Sequence, residues 1–334
     1  LLMRGDRMSN KSIDVSVYVL TYYHEKYIRQ AIDSILSQKT KYRFEIVISD
    51  DCSKDGTVDI LKEYVRKYPD IIRVKYNDTN IGIPKNVFQA RCMCRGRYIV
   101  SLSGDDYWID PLKIEKLASF LDDHREYIAV CNVMELRYDD ESVPFNELPT
   151  KKERNIVFTL QDYEKGKIIY THGFMMRNFF LTEEGRAYFK QAQSISDRVD
   201  DAVDNILLLR KGNMYVLDEV TDVYRVPRSK VGQNTYNARY SRVEKQRHSI
   251  ELLNNLHNIF GDEINLKKKY THSFSVALVD MFIGNKRKEY MGIYKTIPEQ
   301  YRKPFFKGVL VSSIPEAICF SMNRVICKIK SIIK

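Results

Sequence analysis

Residues 97–108 have the sequence RYIVSLSGDDYW, a short apolar run that ends in two adjacent acids. The segment Tyr98–Leu102 is rich in aromatic and β-branched residues, which predicts a buried strand. Gly104 ends the run, and Asp105 and Asp106 follow. Neighbouring carboxylates repel each other, so the pair predicts either a bound cation or an exposed turn. The carboxyl end of a buried strand is where open α/β sheets bind ligands.

Strands and helices alternate through the first hundred residues, which predicts a parallel sheet with right-handed crossovers. The sequence contains neither G-x-G-x-x-G nor G-x-x-x-x-G-K-[ST], which excludes a dinucleotide fingerprint and a P-loop. Polar side chains stand at the strand ends instead. The strands predicted ahead of the acidic stretch are Ile13–Leu20, Phe44–Ile48 and Ile72–Tyr76, and helices are predicted from Glu25, after Thr57 and from Pro84.

Two helix ends carry specific predictions. Asp110 is expected to be the N-cap, and Pro111 the first residue, of a helix that extends to about His124. The helix that begins at Pro84 is expected to end before Gly96, with that glycine as a left-handed cap.

The remainder of the chain gives a weaker pattern. Residues 137–160 are polar and contain two prolines, which predicts an irregular loop. Other predicted elements are a strand at Tyr127–Val133, an acid-rich helix at Ser194–Gly212, short strands at Met214–Leu217 and Thr221–Arg225, and helices from about Asn237 to the end.

The charge distribution argues against a nucleic-acid-binding protein. The net charge is +10, but the segment 301–334 has seven basic residues against one acid, Glu316. Most of the excess therefore lies at one end, whereas nucleic-acid binding favours basic residues spread over a face among aromatics. A local basic segment suits an anionic surface.

The cysteine positions and the lengths of the apolar runs limit the classes of protein that fit the sequence. None of the six cysteines forms a C-x-x-C pair or completes a zinc site, so reduced thiols in a cytoplasmic setting are expected. Residues 1–10 are mostly polar and do not match a signal peptide. No uninterrupted apolar run is long enough to span a bilayer.

Four stretches in order resemble family 2 glycosyltransferases: SVYVLTYYHEKY (16–27), EIVISDDCSKDGT (45–57), NIGIPKN (80–86) and GRYIVSLSGDD (96–106). A weaker match covers 200–212, 218–220 and Tyr224-Arg225. The resemblance spans residues 13 to about 230 and implies the GT-A fold, a Rossmann-like, mostly parallel sheet flanked by helices. The expected division is a flexible N-terminus at 1–12, the GT-A domain at 13–235 and a helical region at 236–334.

The resemblance implies transfer of a sugar from a nucleotide-diphospho-sugar to an acceptor hydroxyl, with inversion. A divalent cation would neutralise the leaving diphosphate. By resemblance, Asp106 holds Mg²⁺ or Mn²⁺, and Asp105 contacts the ribose or the metal. The family often has a further Asp where Ser103 stands, and often a His shortly after Tyr-Arg. Here Tyr224-Arg225 lacks that His, and Arg225 or Arg228 is a candidate ligand of the diphosphate.

The same resemblance assigns the nucleotide pocket. Asp50 only accepts hydrogen bonds, so it suits an imide N–H such as that of uracil. The further residues assigned to donor binding are Thr21, Tyr22, Glu25, Asp51, Asn80, Gly82 and Asn86. Alternatives remain for several of them: Asp51 or Ser53 as a helix cap, Tyr22 as a core aromatic, and Gly82 as a turn residue.

The general base is expected at the N-terminus of a helix beyond the central strands. The family pattern assigns this role to Asp201, with its neighbour Asp200 as the alternative, and Asp204 lies one turn further on. The competing interpretation is that these acids only complement the helix dipole. His172 lies in the segment that faces the acceptor in the family, but a single His is more often structural.

The end of the chain predicts a basic amphipathic helix over residues 315–334. Its apolar residues recur at three-and-four spacing among lysines, which fits either an anionic membrane surface or packing on protein. The leading hypothesis is an inverting enzyme, cytoplasmic or peripheral on the inner face of a membrane. It would use a UDP-linked donor and a glycan or lipid-linked acceptor in cell-surface polysaccharide or glycolipid synthesis. The alternative is a non-catalytic scaffold that binds nucleotide or glycan.

Overall fold

The computed structural model describes residues 12–139, 143–169, 173–197, 201–226, 240–273 and 287–302. These residues form two compact units. The first contains the described residues up to Thr159 and from Ile169 to Val226, and the second contains Leu160–Ile168 and the described residues from 240 onward. The expected division at residue 235, and the flexible segment at 1–12, stay predictions.

The first unit is built on a ten-stranded sheet. The strand order is β3-β2-β1-β4-β9-β6-β10-β5, with β7 beside β6 and β8 beside β10. The strands β3, β2, β1 and β4 are parallel, which confirms the predicted arrangement of the first hundred residues. The strands are β1 Val15–Thr21, β2 Phe44–Asp50, β3 Ile72–Tyr76, β4 Tyr98–Ser103, β5 Tyr107–Trp108, β6 Tyr127–Tyr138, β7 Pro144–Leu148, β8 Ile156–Phe158, β9 Met175–Arg177 and β10 Asn213–Val226.

Helices connect and cover these strands. One hydrophobic cluster joins the apolar faces of the first, second and fourth helices to the buried strands, and it contains Ile32, Leu61, Leu117 and Val100. Burial of these faces fixes each helix on the sheet because apolar area is removed from water. The helices of this unit are α1 Ile28–Leu36, α2 Thr57–Lys67, α3 Ile83–Met93, α4 Lys113–Asp123, α6 Glu183–Lys190, α7 Ala192–Ile195 and α8 Asp201–Leu209, with 3₁₀ turns at Lys151–Glu153 and Phe179–Leu181. Helix α5, Leu160–Glu164, belongs to the second unit.

Strand register brings three polar strand ends to the same level. Thr21 at the end of β1 pairs with Asp50 at the end of β2, and Leu20 pairs with Ser103 at the end of β4. Parallel strands point the same way, so their carboxyl ends meet at one edge of the sheet. The acids that follow β2 and β4 therefore lie on either side of β1.

Two predicted helix caps are wrong, although α3 does end before Gly96 as predicted. Helix α4 begins at Lys113 with Leu112 as its N-cap, and Asp110 instead accepts a hydrogen bond from the Leu112 N–H within the preceding turn. Gly96 is not a left-handed cap, since its φ is not positive. A Cβ at Gly96 would lie 2.6 Å from the Ser16 nitrogen, so this glycine permits close approach to β1.

The chain after β6 is more regular than predicted. Strand β6 extends to Tyr138, and β7 and β8 lie within the segment 137–160 that was expected to be an irregular loop. The two short strands predicted between 214 and 225 form one strand, β10, which pairs with β6 through register shifts near Val220. The predicted helix at Ser194–Gly212 is instead α7 and α8, separated by residues that include 198–200, outside the described part of the chain.

The second unit is helical in its described part, as predicted. Its helices are Leu160–Glu164, Arg242–Phe260, residues 267–273, Arg287–Thr296 and Glu299–Arg302. Ser241 and Glu244 form a capping box that starts the longest of them. The rings of Tyr270 and Tyr301 stack at 4.7 Å, and the Glu164 carboxylate accepts a 2.8 Å hydrogen bond from the Asn265 N–H.

Residues 315–334, predicted to form a basic amphipathic helix, lie outside the described residues. Across the ranges that the structure describes, none of the helices combines the length and apolar character needed to cross a bilayer. The four described cysteines are free thiols, as expected.

Candidate active site

The polar edge formed by the ends of β2, β1 and β4 is the candidate active site. Asp50 ends β2, Thr21 ends β1, and the acid pair Asp105-Asp106 follows β4. Neighbouring strands are about 4.8 Å apart, so Asp50 and the acid pair are separated by about 10 Å across β1. The structure thus brings together the residues assigned to the nucleobase and to the metal, with β1 between them.

Asp50 is almost completely buried and is held by Ser53. Its two carboxylate oxygens accept hydrogen bonds from the Ser53 hydroxyl at 2.6 Å and from the Ser53 N–H at 3.0 Å. Each carboxylate oxygen can accept two hydrogen bonds, so the group retains acceptor capacity. Ser53 orients the carboxylate, and neither Ser53 nor Asp51 caps α2, whose N-cap is Gly56.

Thr21, Tyr22 and Glu25 lie in the loop after β1. The buried Thr21 hydroxyl has no hydrogen-bond partner in the described part of the chain, and the Thr21 carbonyl accepts a hydrogen bond from the Asp51 N–H. Tyr22 is partly exposed and packs edge-on against Tyr23. Glu25 is exposed and accepts a 3.0 Å hydrogen bond from the Gly56 N–H, which ties the loop to the start of α2.

Asp51 organises the neighbouring loop. Its carboxylate accepts hydrogen bonds from the backbone N–H groups of Ile81 at 2.8 Å and Gly82 at 3.1 Å. Asn80 is exposed, and its side-chain oxygen also accepts from the Gly82 N–H. Gly82 has φ +81°, so a residue without a side chain suits this turn. The loop at 80–82 is therefore positioned by Asp51 at the same edge of the sheet.

Asn86 is buried inside the fold. Its side chain accepts a 2.6 Å hydrogen bond from the Ser49 hydroxyl and a 3.1 Å bond from the Asn77 amide, and it donates to the Ser49 carbonyl. These contacts attach α3 to β2. Asn86 thus supports the loop that approaches the site, and its assigned contact with the donor stays a prediction.

Asp105 is the more exposed member of the acid pair. Its carboxylate accepts a hydrogen bond from the Ser103 hydroxyl, so the serine that replaces a family Asp orients its neighbour. The Nε2 of His24 lies 3.8 Å from the other carboxylate oxygen of Asp105. The sequence analysis did not single out His24, although its position directly before Glu25 in the matched stretch was a usable signal.

Asp106 is buried, and its Oδ1 accepts a 2.7 Å hydrogen bond from the Arg225 N–H. Burial and the neighbouring Asp105 carboxylate raise the pKa of Asp106 well above its usual value. A bound cation would act in the opposite direction, because it favours the charged carboxylate. A divalent cation bound to Asp105 and Asp106 would therefore reduce the repulsion between their carboxylates.

The donor set fits a hard divalent cation. Magnesium and manganese take oxygen ligands, and Mg²⁺ is commonly bound by one or two carboxylates together with substrate phosphates and waters. Asp105 and Asp106 supply two such carboxylates. No cluster of three or more His, Cys, Asp or Glu suited to a metal occurs among the described residues, so the remaining ligands would come from the nucleotide and water.

Helix α8 begins at Asp201, the assigned general base. Asp200 and His172 lie outside the described residues. Asp204, one turn further on, is engaged elsewhere: its carboxylate accepts two hydrogen bonds from Arg91 on α3. The helix start agrees with the resemblance, whereas the catalytic role of Asp201 or Asp200 stays a prediction.

A fully buried ion pair between Lys113 and Asp222 was not predicted. The Lys113 ammonium contacts the Asp222 carboxylate, which also accepts hydrogen bonds from Asn132 at 3.0 Å and Thr221 at 3.0 Å. A Cβ at Gly173 would lie 1.8 Å from Asp222, so only glycine fits there. An acid, Asp222, within the predicted strand Thr221–Arg225 was the signal available for this pair.

Comparisons with known proteins find a matching family model and sequence relatives. The family model of glycosyl transferase family 2 matches residues 16–185, just over half of the chain. The putative glycosyltransferase EpsE of Bacillus subtilis is 36% identical over 121 residues, which is 36% of this chain and 43% of EpsE. The aligned segment therefore spans less than half the length of that relative.

Solved structures share the fold. TarS 1-349 of S. aureus in complex with UDP-GlcNAc has a TM-score of 0.52 at 19% identity, covering 86% of this chain and 83% of that chain. The mannosyltransferase PcManGT of Pyrobaculum calidifontis in complex with GDP-Man and Mn²⁺ has a TM-score of 0.51 at 15% identity, covering 91% and 88%. The predicted GT-A fold is confirmed.

Proposed function

The chain belongs to glycosyl transferase family 2, and we propose that it moves a sugar from a UDP-linked donor to an acceptor hydroxyl with inversion of the anomeric centre. Asp50 would accept a hydrogen bond from the uracil imide, with Thr21, Tyr22, Glu25 and the Asp51-held loop around the nucleotide. The donor in the TarS structure is a UDP-sugar, which supports this choice for a chain of the same fold.

One observation carries the proposal: an acceptor-only carboxylate and an acid pair stand about 10 Å apart at one sheet edge, on either side of β1. A nucleoside diphosphate has the matching polarity along its length, a base with a hydrogen-bond donor at one end and two phosphates at the other. Asp51, next to Asp50, holds the loop at 80–82 through the Ile81 and Gly82 N–H groups.

Asp105 and Asp106 would hold Mg²⁺ or Mn²⁺. When bound, the cation neutralises the charge that develops on the departing nucleoside diphosphate. The Mn²⁺ in the PcManGT structure supports metal use in this fold. The protein's own contribution is to keep a buried and a partly exposed carboxylate together, with the Ser103 hydroxyl orienting Asp105 and the Arg225 N–H orienting Asp106.

Asp201 would accept the proton of the acceptor hydroxyl, with Asp200 as the alternative. Asp201 is the first residue of α8, and the family pattern expects the base at the N-terminus of such a helix. The acceptor would be a glycan or lipid-linked glycan of a cell-surface polysaccharide or glycolipid. The basic segment 301–334 supports a peripheral position on an anionic, cytoplasmic membrane surface.

The test is thermal unfolding of the purified protein with UDP, GDP, CDP and ADP, each with and without Mn²⁺. A ligand that binds the native state raises the unfolding midpoint by mass action. We expect a rise with UDP that depends on Mn²⁺ and is removed by EDTA. The variants Asp106→Asn and Asp50→Asn should each reduce that rise, while Asp78→Asn, at an exposed carboxylate nearby, should not.

The other outcomes are equally informative. A rise with GDP instead of UDP would contradict the UDP assignment and keep the glycosyltransferase proposal. No rise with any nucleotide would favour the non-catalytic scaffold. If UDP binds, two further measurements follow. Release of UDP from UDP-sugars in the presence of an acceptor tests sugar transfer, and NMR of the product's anomeric configuration tests inversion.

A further inference from the structure

Arg225, at the end of β10, is held by four groups. Its guanidinium donates hydrogen bonds to the Asp105 carbonyl and to the Gln30 side-chain oxygen. The guanidinium carbon also lies over two aromatic rings, 4.9 Å from the centre of Tyr27 and 4.5 Å from that of Tyr107. Cation–π contacts of this kind restrain a guanidinium in addition to its hydrogen bonds.

The same residue also holds the second acid. The Arg225 N–H donates a 2.7 Å hydrogen bond to Oδ1 of Asp106. One residue therefore contacts both members of the acid pair: its guanidinium holds the Asp105 carbonyl, and its backbone N–H, which a substitution keeps, holds the Asp106 carboxylate. The two contacts join residues that are 120 and 119 positions apart in the chain. Strand β5, which follows the acids directly, pairs with β10 at Val223 and completes the connection.

These contacts limit the roles that the Arg225 side chain can have. Two guanidinium nitrogens already donate to protein oxygens, and two tyrosine rings hold the group against α1 and β5. A side chain restrained in this way is directed at the backbone of the acid turn. The sequence analysis considered Arg225 as a ligand of the diphosphate, and the observed contacts favour a different role.

We propose that Arg225 is a positioning residue: it holds the acid pair in the orientation needed to bind a divalent cation, and does not itself bind the diphosphate. This inference rests on the proposed function, because it presumes a cation-dependent nucleotide site. Residues that orient metal ligands through hydrogen bonds commonly change metal affinity by about 10–100-fold when they are substituted.

Lysine cannot replace arginine in this position. Its ammonium is a single point charge, whereas the planar guanidinium donates to two separate oxygens while it lies over aromatic rings. The variant Arg225→Lys therefore keeps the charge but loses the geometry. A role as a diphosphate ligand by charge alone would tolerate that substitution, whereas a positioning role would not.

The chain provides a matched control in Arg137. It lies on β6 directly beside Arg225 in the β6–β10 register, and it also contacts Tyr107, whose hydroxyl is 3.4 Å from its guanidinium. Its main partner is Glu135, and it makes no contact with the acid pair. The variant Arg137→Lys tests whether any arginine at this end of the sheet has the same effect.

The experiment measures binding without relying on turnover. Free Mn²⁺ is followed by electron paramagnetic resonance during titration of wild type, Arg225→Lys, Arg225→Gln and Arg137→Lys in the presence of UDP. Uridine and UDP binding without metal are measured in parallel by calorimetry. We expect both Arg225 variants to weaken Mn²⁺ binding by about tenfold or more, with metal-free uridine and UDP binding unchanged. Arg137→Lys should match wild type.

Three results would overturn the positioning role. Equal Mn²⁺ affinity in wild type and Arg225→Lys would do so, and so would weaker metal-free UDP binding, with unchanged uridine binding, in Arg225→Gln. An equal loss in Arg137→Lys would assign the effect to the sheet end in general. Absence of Mn²⁺-dependent UDP binding in wild type would overturn the proposed function as well. Unfolding midpoints and circular dichroism of each variant separate these results from misfolding.

Discussion

Arg91 and Asp204 join helices α3 and α8 through two parallel hydrogen bonds, of 2.8 and 2.7 Å, between guanidinium and carboxylate. Both side chains are largely buried, and the Tyr18 hydroxyl accepts two further hydrogen bonds from Arg91. Asp201 is the first residue of α8, so this pair also fixes the position of the assigned base relative to β1, which carries Tyr18. An acid that had been considered near the acceptor is thus part of the scaffold.

Removing the charge of Asp204 should destabilise the protein. Breaking one partner of a buried ion pair commonly costs about 3–5 kcal/mol, since the remaining charge stays buried. We expect Asp204→Asn to lower the free energy of unfolding by about 3 kcal/mol in urea denaturation. Asp59→Asn, at the exposed Asp59–Lys62 pair, is the control and should leave stability unchanged. An equal effect in the two variants would contradict the importance of burial.

Asp201→Asn should abolish transfer but keep donor binding. Loss of a general base commonly reduces the rate by at least about a hundredfold, whereas the proposed donor site is at the ends of β1, β2 and β4. Product formation and the UDP-induced rise in unfolding midpoint are measured together. The matched variant is Asp200→Asn: a normal rate there and a lost rate in Asp201→Asn assigns the base, and the reverse result assigns it to Asp200.

Asp50→Asn should weaken UDP binding by about tenfold or more, because a hydrogen bond to a charged group contributes about 1.5–3 kcal/mol. An asparagine oxygen can still accept the Ser53 N–H bond, so the turn should remain folded. Calorimetric titration with UDP measures the change, and Asp78→Asn on the neighbouring exposed loop is the control. Unchanged UDP affinity in Asp50→Asn would exclude Asp50 from base recognition.

Acid stability should depend on Asp122. Its carboxylate accepts hydrogen bonds from Arg97, Tyr42 and Tyr98. These contacts, those with Arg97 above all, lower the pKa of Asp122 far below its usual value. A lowered carboxylate pKa contributes stability that is complete above the unfolded-state pKa of about 3.9 and is lost as the pH falls through the folded-state value.

We therefore expect Asp122→Asn to unfold at a lower temperature than wild type at pH 7, with the difference shrinking below about pH 4. Thermal midpoints from pH 7 to pH 3 measure this. Because the Arg97–Asp122 pair is partly exposed, high salt should reduce the difference at pH 7. A difference that grows on acidification would contradict the assignment.

Gly96→Ala should destabilise the sheet. The added methyl group would lie 2.6 Å from the Ser16 backbone nitrogen. A backbone atom within a strand cannot move aside in the way that the end of a flexible side chain can. Overpacking of this kind costs about 1–3 kcal/mol. Gly292→Ala is the control with opposite sign. Gly292 lies in the helix Arg287–Thr296, and a Cβ added there would have no neighbouring atom within 4 Å outside the helix's own backbone. This variant should raise the free energy of unfolding by about 0.5–1 kcal/mol. Urea denaturation of both variants measures the difference.

The sequence was sufficient to predict the parallel part of the sheet, because the apolar runs and the alternation of strands and helices indicate the same arrangement there. Strands β1, β2 and β4 are buried on both faces and give largely apolar runs, so their existence and parallel arrangement could be predicted. The polar residues at their ends then had to share one edge. Strand β7 was missed because its residues Pro144–Leu148 are largely exposed and lack an apolar face.

Contacts between distant segments could not be predicted in the same way. The pattern around Tyr224-Arg225 indicates a strand, but nothing local indicates that Arg225 contacts a carbonyl 120 residues earlier. Gly96 shows a related limit. A glycine after a helix favours a left-handed cap on statistics, and only the position of β1 reveals that close packing is the reason for it.

The long strand β10 has a consequence for synthesis on the ribosome. Its residues lock the acid turn from more than a hundred positions downstream, and domains begin to fold while the chain is still being made. A nascent chain that ends before β10 has emerged can pair β1 with β2 and β4, yet its two acids still lack their downstream support. Cation-dependent binding of nucleotide is therefore expected to protect only chains that have passed residue 225.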